Sequence, residues 1–259
     1  QAASVIETTC DDFEPNLEEL ARSTAKDGVV VPALIRQLRQ AIGDPHGHSL
    51  HHGSTSQDVI DTSLMLRLKN VTSVYRDRLH DLIGALQGLS DRQGQFPVMA
   101  RTRMQRALPV TVDHKITSWL DPLERLLANT PDRFPLQLGG PEGALSGMGE
   151  QPAEITKLVA GSLGLTVRSH HWQTDRSPLA DYFAWATKLT TALGKFGQDV
   201  CLLSQNEVQE IVLTGGGGSS AMAHKNNPVL AESLVSLARL NAALNSGMTQ
   251  AALHEYERS

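Results

Sequence analysis

The chain has 259 residues, with 23 Lys and Arg against 28 Asp and Glu and a formal net charge of −5. That length holds a sizeable core in one large or two small domains without disulfide staples, and the acidic balance excludes a basic patch built for nucleic acid or an anionic membrane surface. Cys10 and Cys201 are too far apart for a CxxC pair, which fits a reduced cytoplasmic protein without structural zinc, and no run of 18 apolar residues predicts a membrane span.

The opening Gln1-Ala2-Ala3-Ser4-Val5-Ile6 carries neither Met nor a basic leader and reads as an internal start. Aromatic residues make up only 4% of a chain rich in Leu and Ala, a composition that favours helix packed on helix. Short helical patterns come first, over Leu17 to Ala25 and over Leu34 to Ile42 between Pro32 and Gly43. From Asp58 to Leu89 no proline intervenes, and Ile60, Leu64, Leu68, Val71, Tyr75, Leu79, Leu82, Leu86 and Leu89 step by three or four. They predict one helix of roughly 45 Å at 1.5 Å per residue. A further helix is expected to start at Pro109, run through Val112, Ile116, Leu120 and Leu127, and kink at Pro122. Residues 131–152 are a turn-rich connector, and Ala153 to Leu163 is another short helix. Two more long seams run from Leu179 through Phe183, Leu189, Leu193 and Phe196 to Leu203, and from Leu230 through Leu234, Leu237 and Leu244 to Ala251. Three long seams predict an all-α, long-helix bundle with apolar stripe to spare for self-association.

Three polar segments interrupt the pattern, each expected to precede a long helix: His51 to Asp58, Ala100 to Pro109, and Gly215 to Pro228. Ser, Thr, Asp and Asn there need no function beyond capping orphan N–H groups. Helix N-termini also bind anions, so three converging ends would hold a small polycarboxylate. The third segment asks for more than a cap. Four glycines, Gly215 to Gly218, read either as a flexible linker or as the hinge of a lid, with Ser219, Lys225 and Asn227 directly beyond them.

Gly218-Ser219-Ser220-Ala221-Met222-Ala223-His224-Lys225-Asn226-Asn227-Pro228 resembles the GSSxMPxKxNP loop of the fumarase/aspartase superfamily, with Ala223 in place of its usual Pro. Thr55-Ser56-Gln57-Asp58 with Asp61-Thr62, and Arg101-Thr102 with Gln105, Ala107, Pro109 and Thr111, resemble its two companion motifs in the same order and spacing. Gly53 to Thr62 and the short third motif are most similar to the bacterial cycloisomerases acting on 3-carboxy-cis,cis-muconate. The resemblance implies a homotetramer with a twenty-helix core, whose active sites take the three motifs from three subunits. It also implies that residues 1–55 are the remainder of an N-terminal helical domain, that 56–259 form the central bundle, and that the extreme N-terminal segment and the C-terminal helical domain of longer members are absent.

The same resemblance implies the chemistry: closure of a 3-substituted muconate, such as the 3-carboxy or 3-sulfo compound, to a muconolactone within aromatic degradation by the β-ketoadipate route, without metal or organic cofactor. Ser219 matches the catalytic serine, the proton donor in lactonisation. Lys225 and Asn227 would stabilise the aci-carboxylate, with preorganised donors as the largest catalytic contribution. Thr55, Ser56, Gln57, Arg101, Thr102, Gln105, Ser220 and Met222 match substrate-holding positions, and His51 is a candidate to line the pocket; His224 is a loop histidine beside them. One departure from the pattern decides more than the matches: the histidine of the second motif is Arg103 here. A lyase that expels an amine or hydroxide must protonate a poor leaving group, whereas a cycloisomerase uses the substrate's own carboxylate, ionised above a pKa of about 4. Arg103 then suits an anionic 3-substituent; the plain alternative is a solvated surface arginine. The competing activity is a superfamily lyase that releases fumarate, of the adenylosuccinate or argininosuccinate type. A scaffold that had lost activity would show lesions in the third motif, yet Ser219, Lys225, Asn227 and Pro228 all stand. His46, His48, His51 and His52 cluster without a cysteine in a loop and are not expected to bind metal.

Overall fold

In the computed structural model, which describes residues 2–222 and 225–257, eight α-helices and one β-hairpin follow in chain order. They are α1 (Ala2–Asp11), α2 (Leu17–Asp27), α3 (Val31–Ile42), α4 (Ser56–Gln93), β1 (Pro97–Thr102), β2 (Gln105–Thr111), α5 (Val112–Ala128), α6 (Pro152–Leu163), α7 (Ser177–Leu203) and α8 (Val229–Gln250). The chain divides into two compact units, one of residues 1–69, 133–178 and 254–259, the other of 70–132 and 179–253.

In the first unit, Asn16 caps α2 by accepting from Glu19 N at 3.0 Å. Gln37 of α3, itself buried, accepts from Asn16 N at 2.9 Å and donates to Glu19 Oε2 at 3.1 Å, so one amide locks α2 onto α3. The long stretch 129–151 contains a 3₁₀ turn at Ser146–Met148 and a bridge between Pro135 and Thr166, where Leu136 N donates to Thr166 O at 2.8 Å and Thr166 N to Phe134 O at 2.9 Å.

The second unit holds the main core, in which Leu79, Ile83 and Leu86 of α4 meet Ile116, Trp119, Leu120, Leu123 and Leu126 of α5 and Trp185, Leu189 and Leu203 of α7. Each such side chain contributes about 1.5–3 kcal/mol by leaving water. The indole nitrogens reach partners, Trp119 Nε1 donating to Asp199 Oδ2 at 2.7 Å and Trp185 Nε1 to Leu126 O at 3.1 Å. Thr72 is buried in the α4 seam, where its hydroxyl donates to Tyr182 OH at 3.2 Å. Two glycines let α8 lie close on α7: a Cβ at Gly197 would stand 2.6 Å from Ala231 O, and one at Gly194 2.5 Å from Ala238 Cβ. The other face of α8 is bare, with Leu230, Leu237, Leu240 and Leu244 all more than half exposed.

Two expectations from the sequence are corrected. The chain is mostly helical rather than all-α, because residues 97–111 form an antiparallel β-hairpin. Pro109 does not open a helix; it lies in β2 opposite Met99, and α5 begins at Val112 with Thr111 as cap, its Oγ1 accepting from His114 N at 3.2 Å. α5 continues through Pro122.

Candidate active site

The first motif enters α4 at Ser56 and is fixed through Asp58, which is 3% exposed. The Asp58 carboxylate accepts from Thr55 N at 3.0 Å, Gln137 Nε2 at 3.1 Å, and Gly139 N and Gly140 N, each at 2.9 Å. Asp58 therefore does the capping, by reaching back to the N–H of the cap residue. Among the described residues the hydroxyls of the buried Thr55 and the half-buried Ser56 engage in no hydrogen bond, and the half-buried Gln57 stands beside them on the first turn.

Around this cap lies a polar network, in which the buried Gln173 side chain finds no hydrogen-bond partner among the described residues. Thr62 Oγ1 donates to Gln137 O at 2.8 Å, and Gln137 Oε1 accepts from Trp172 N at 2.9 Å. Asp61, 1% exposed, takes both arms of Arg176 at 2.6 and 2.9 Å, while that guanidinium stacks 5.0 Å from the Trp172 ring centre. Gly53, at a left-handed φ of 65°, leaves room for Gly147, whose carbonyl oxygen would stand 2.8 Å from a Cβ there. His51 also has a left-handed φ, of 60°. Burial first, and Arg39 second, hold its imidazole below the ordinary value, with Asp58 opposing. His171 packs against Gly139 and Gly143 and stacks on His170 at 4.1 Å; burial and then His170 lower its pKa against the pull of Asp58.

The second motif is the β-hairpin. Thr102 pairs with Gln105 across a two-residue turn in which Arg103 and Met104 both have left-handed φ values, 48° and 65°. This is the turn hand that suits strand twist, yet neither residue is the glycine or asparagine that adopts it without strain. Thr102, Arg103 and Gln105 are exposed. Arg103 borders a cavity of about 440 Å³ that Arg101, His114, Lys115, Lys195 and Asp199 also line. Arg101 is not a free cation: its Nη1 lies 2.6 Å from Glu210 Oε1 and also donates to Met99 O at 3.3 Å. Its charge is thus paired within the protein while its side chain still borders the cavity.

The third motif is a loop closed at its base. Gly217 and Asn227 exchange two backbone hydrogen bonds of 2.9 Å, and Asn226 Nδ2 donates to Leu213 O at 2.9 Å. The glycine run is thus only partly a hinge. A Cβ on Gly216 would collide with the Asn226 side chain and one on Gly217 would meet Val229 Cγ2 at 2.5 Å, whereas Gly215 and Gly218 face open space. The half-buried Ser219 accepts from Ala221 N at 3.3 Å and Met222 N at 3.2 Å. Those N–H groups stabilise negative charge on Oγ and leave its proton free to be given. Ser220, Met222 and Lys225 are exposed and Asn227 is half-buried. α8 has Pro228 at its cap with no side-chain bond, so capping does not account for the polar residues here. Ala223 and His224 lie outside the described residues.

The comparisons with known proteins bear on this arrangement. A family model described as "Lyase" matches residues 4–240. The chain belongs to the fumarase/aspartase lyase family. This family member is 34% identical, over its whole length, to a 3-carboxy-cis,cis-muconate cycloisomerase of Pseudomonas aeruginosa, 58% of which it covers. A solved 3-carboxy-cis,cis-muconate lactonizing enzyme from Pseudomonas putida is 31% identical with a TM-score of 0.89, matched over 100% of this chain and 59% of its own. A fumarate lyase from Mesorhizobium sp. BNC1 is 26% identical with a TM-score of 0.90, over 100% and 59%. The chain thus spans about three-fifths of the length of these relatives.

Sequence reasoning missed Gln137, Arg176 and Glu210 as organisers of the motifs, because each lies in a segment without periodicity and its partner, Asp58, Asp61 or Arg101, lies far along the chain. Among the described residues no group of three or more His, Cys, Asp or Glu is placed to hold a metal, and no helix is long and apolar enough to cross a membrane.

Proposed function

We propose that this lyase-family chain is part of a cycloisomerase that closes 3-carboxy-cis,cis-muconate, or an analogue with another anionic 3-substituent such as 3-sulfomuconate, to the muconolactone. The observation that carries the reading is the turn at Ser219, in which two N–H groups point at Oγ and the hydroxyl proton is left to be donated. The substrate's own carboxylate adds to the conjugated double bond, so no separate nucleophile is needed and proximity supplies much of the rate. Negative charge then develops on the second carboxylate beside the new carbanion. Lys225 and Asn227 stabilise it, and Ser219 delivers the proton to carbon. Thr55, Ser56, Gln57, Thr102, Gln105, Ser220, Met222 and His51 hold the substrate's polar groups, and Arg103 takes the 3-substituent. Arg101, paired with Glu210, belongs to the same substrate-holding set.

The bare leucines of α8 support assembly through this helix into a homotetramer whose sites are shared between subunits. Light scattering is expected to give four chains, and a stable, active monomer would rule out shared sites. A second reading, a lyase that releases fumarate, is favoured by the likeness to the Mesorhizobium fumarate lyase. A panel of substituted muconates and succinyl adducts, followed by loss of diene absorbance and by fumarate formed, separates the two.

A further inference from the structure

α7 ends at Leu203, and the chain doubles back on it, with Glu210 N and Ile211 N both donating to Leu203 O at 3.0 and 3.2 Å. Gln209 enters this return with a left-handed φ of 49°. The return carries the Glu210 carboxylate, 15% exposed, in between two cations of other elements: Arg101 Nη1 of β1 at 2.6 Å and Lys115 Nζ of α5 at 3.6 Å. Glu210 Oε2 is buried and makes no hydrogen bond. Both cations also donate to one carbonyl, Met99 O, at 3.3 and 3.1 Å, where the β1 register shifts between Met99 and Arg101.

We propose that Glu210 is a positioning residue, tying the second-motif hairpin to the chain that launches the third-motif loop. A confined carboxylate between two half-buried cations is a poor way to gain stability, because desolvation offsets most of the attraction and packed apolar groups would serve as well. Its directional ion pairs instead fix where the hairpin stands. The tether from Glu210 to Gly215 is only five residues, roughly 17 Å at full extension, so a displacement at Glu210 passes to the base of the loop that carries Ser219. Misplacement by about 1 Å costs up to 10²-fold in rate.

The test compares the full-length protein with Glu210→Gln, which keeps the volume and loses the charge, and with Glu210→Asp, which keeps the charge. Amide hydrogen exchange, which needs no substrate, is expected to rise roughly ten-fold or more in both 97–111 and 211–222 in Glu210→Gln, with 229–250 unchanged. On the activity proposed above, on which only this arm rests, kcat falls roughly ten-fold with KM nearly constant, and Glu210→Asp recovers most of it. If wild-type protein lactonises nothing, the functional reading falls and the exchange difference still stands. Unchanged exchange, a rise confined to one of the two segments, or a uniform rise throughout the chain overturns the proposal.

Discussion

Asp58 and Ser219 anchor two motifs in opposite ways. Asp58 is buried and gathers four donors from four residues, so that the segments 55–62, 137–140 and 172–176 hold one another in register. Ser219 sits in a loop whose ends are joined by one backbone bridge, and its own contacts are two bonds to neighbouring amides. In the first region polar groups are consumed by the fold, with the hydroxyls of Thr55 and Ser56 left out of the network. In the second they are spared from the fold and remain available for chemistry. Substitutions should therefore separate, with stability lost at the first and turnover at the second.

The largest expected effect is at Asp58. Asp58→Ala strands four donors at once, and equilibrium urea unfolding should show a loss of about 3–5 kcal/mol. A loss under about 1 kcal/mol would mean that water replaces the carboxylate and the network is not what fixes the motif. Ser219→Ala tests the other side. It should lower kcat by roughly 10²-fold or more at nearly unchanged KM and melting temperature, and a variant that melts early but turns over normally would invert the comparison.

A smaller effect is expected at the hairpin tip. Arg103→His removes the fixed cation, so KM should rise roughly ten-fold for substrates with an anionic 3-substituent and much less for unsubstituted cis,cis-muconate. Equal losses on both would make Arg103 a backbone element only. The smallest is a pH dependence of stability. His51 and His171 are both held below the ordinary imidazole value in the folded protein. The unfolded chain thus binds more protons as pH falls through about 6.5, and stability is full above that pH and declines below it. Melting curves between about pH 8 and 5 should show this decline, and His171→Asn should flatten it; an unaltered slope would remove His171 from the account.

The long helices were legible in the sequence because α4, α7 and α8 each repeat apolar residues at helical spacing for many turns. Within α4, however, the seam was only partly right. Val71 and Tyr75 are exposed, while Thr72 takes a buried place by bonding to Tyr182. The hairpin was illegible for a physical reason: β2 is exposed along nearly its whole length, so its sequence has no alternation to report, and its turn lacks the usual glycine or asparagine. Pro109 then read as a helix start, although a proline is equally at home in an exposed two-stranded ribbon. The motif residues themselves were legible as residues, but their supports were not. Glu210, Gln137 and Arg176 act through partners that only the fold brings near. The glycine run was half understood, since Gly216 and Gly217 are small for the sake of Asn226 and Val229.

The central claim is that this site closes a ring and expels nothing. Its most direct measurement is the product formed when the purified protein is given 3-carboxy-cis,cis-muconate in heavy water and followed by ultraviolet absorbance and proton NMR. The account predicts loss of the diene absorbance with a muconolactone as the product, one deuterium on the carbon beside the carboxylate, and no fumarate. An untouched diene, together with fumarate released from a succinyl adduct, would contradict it.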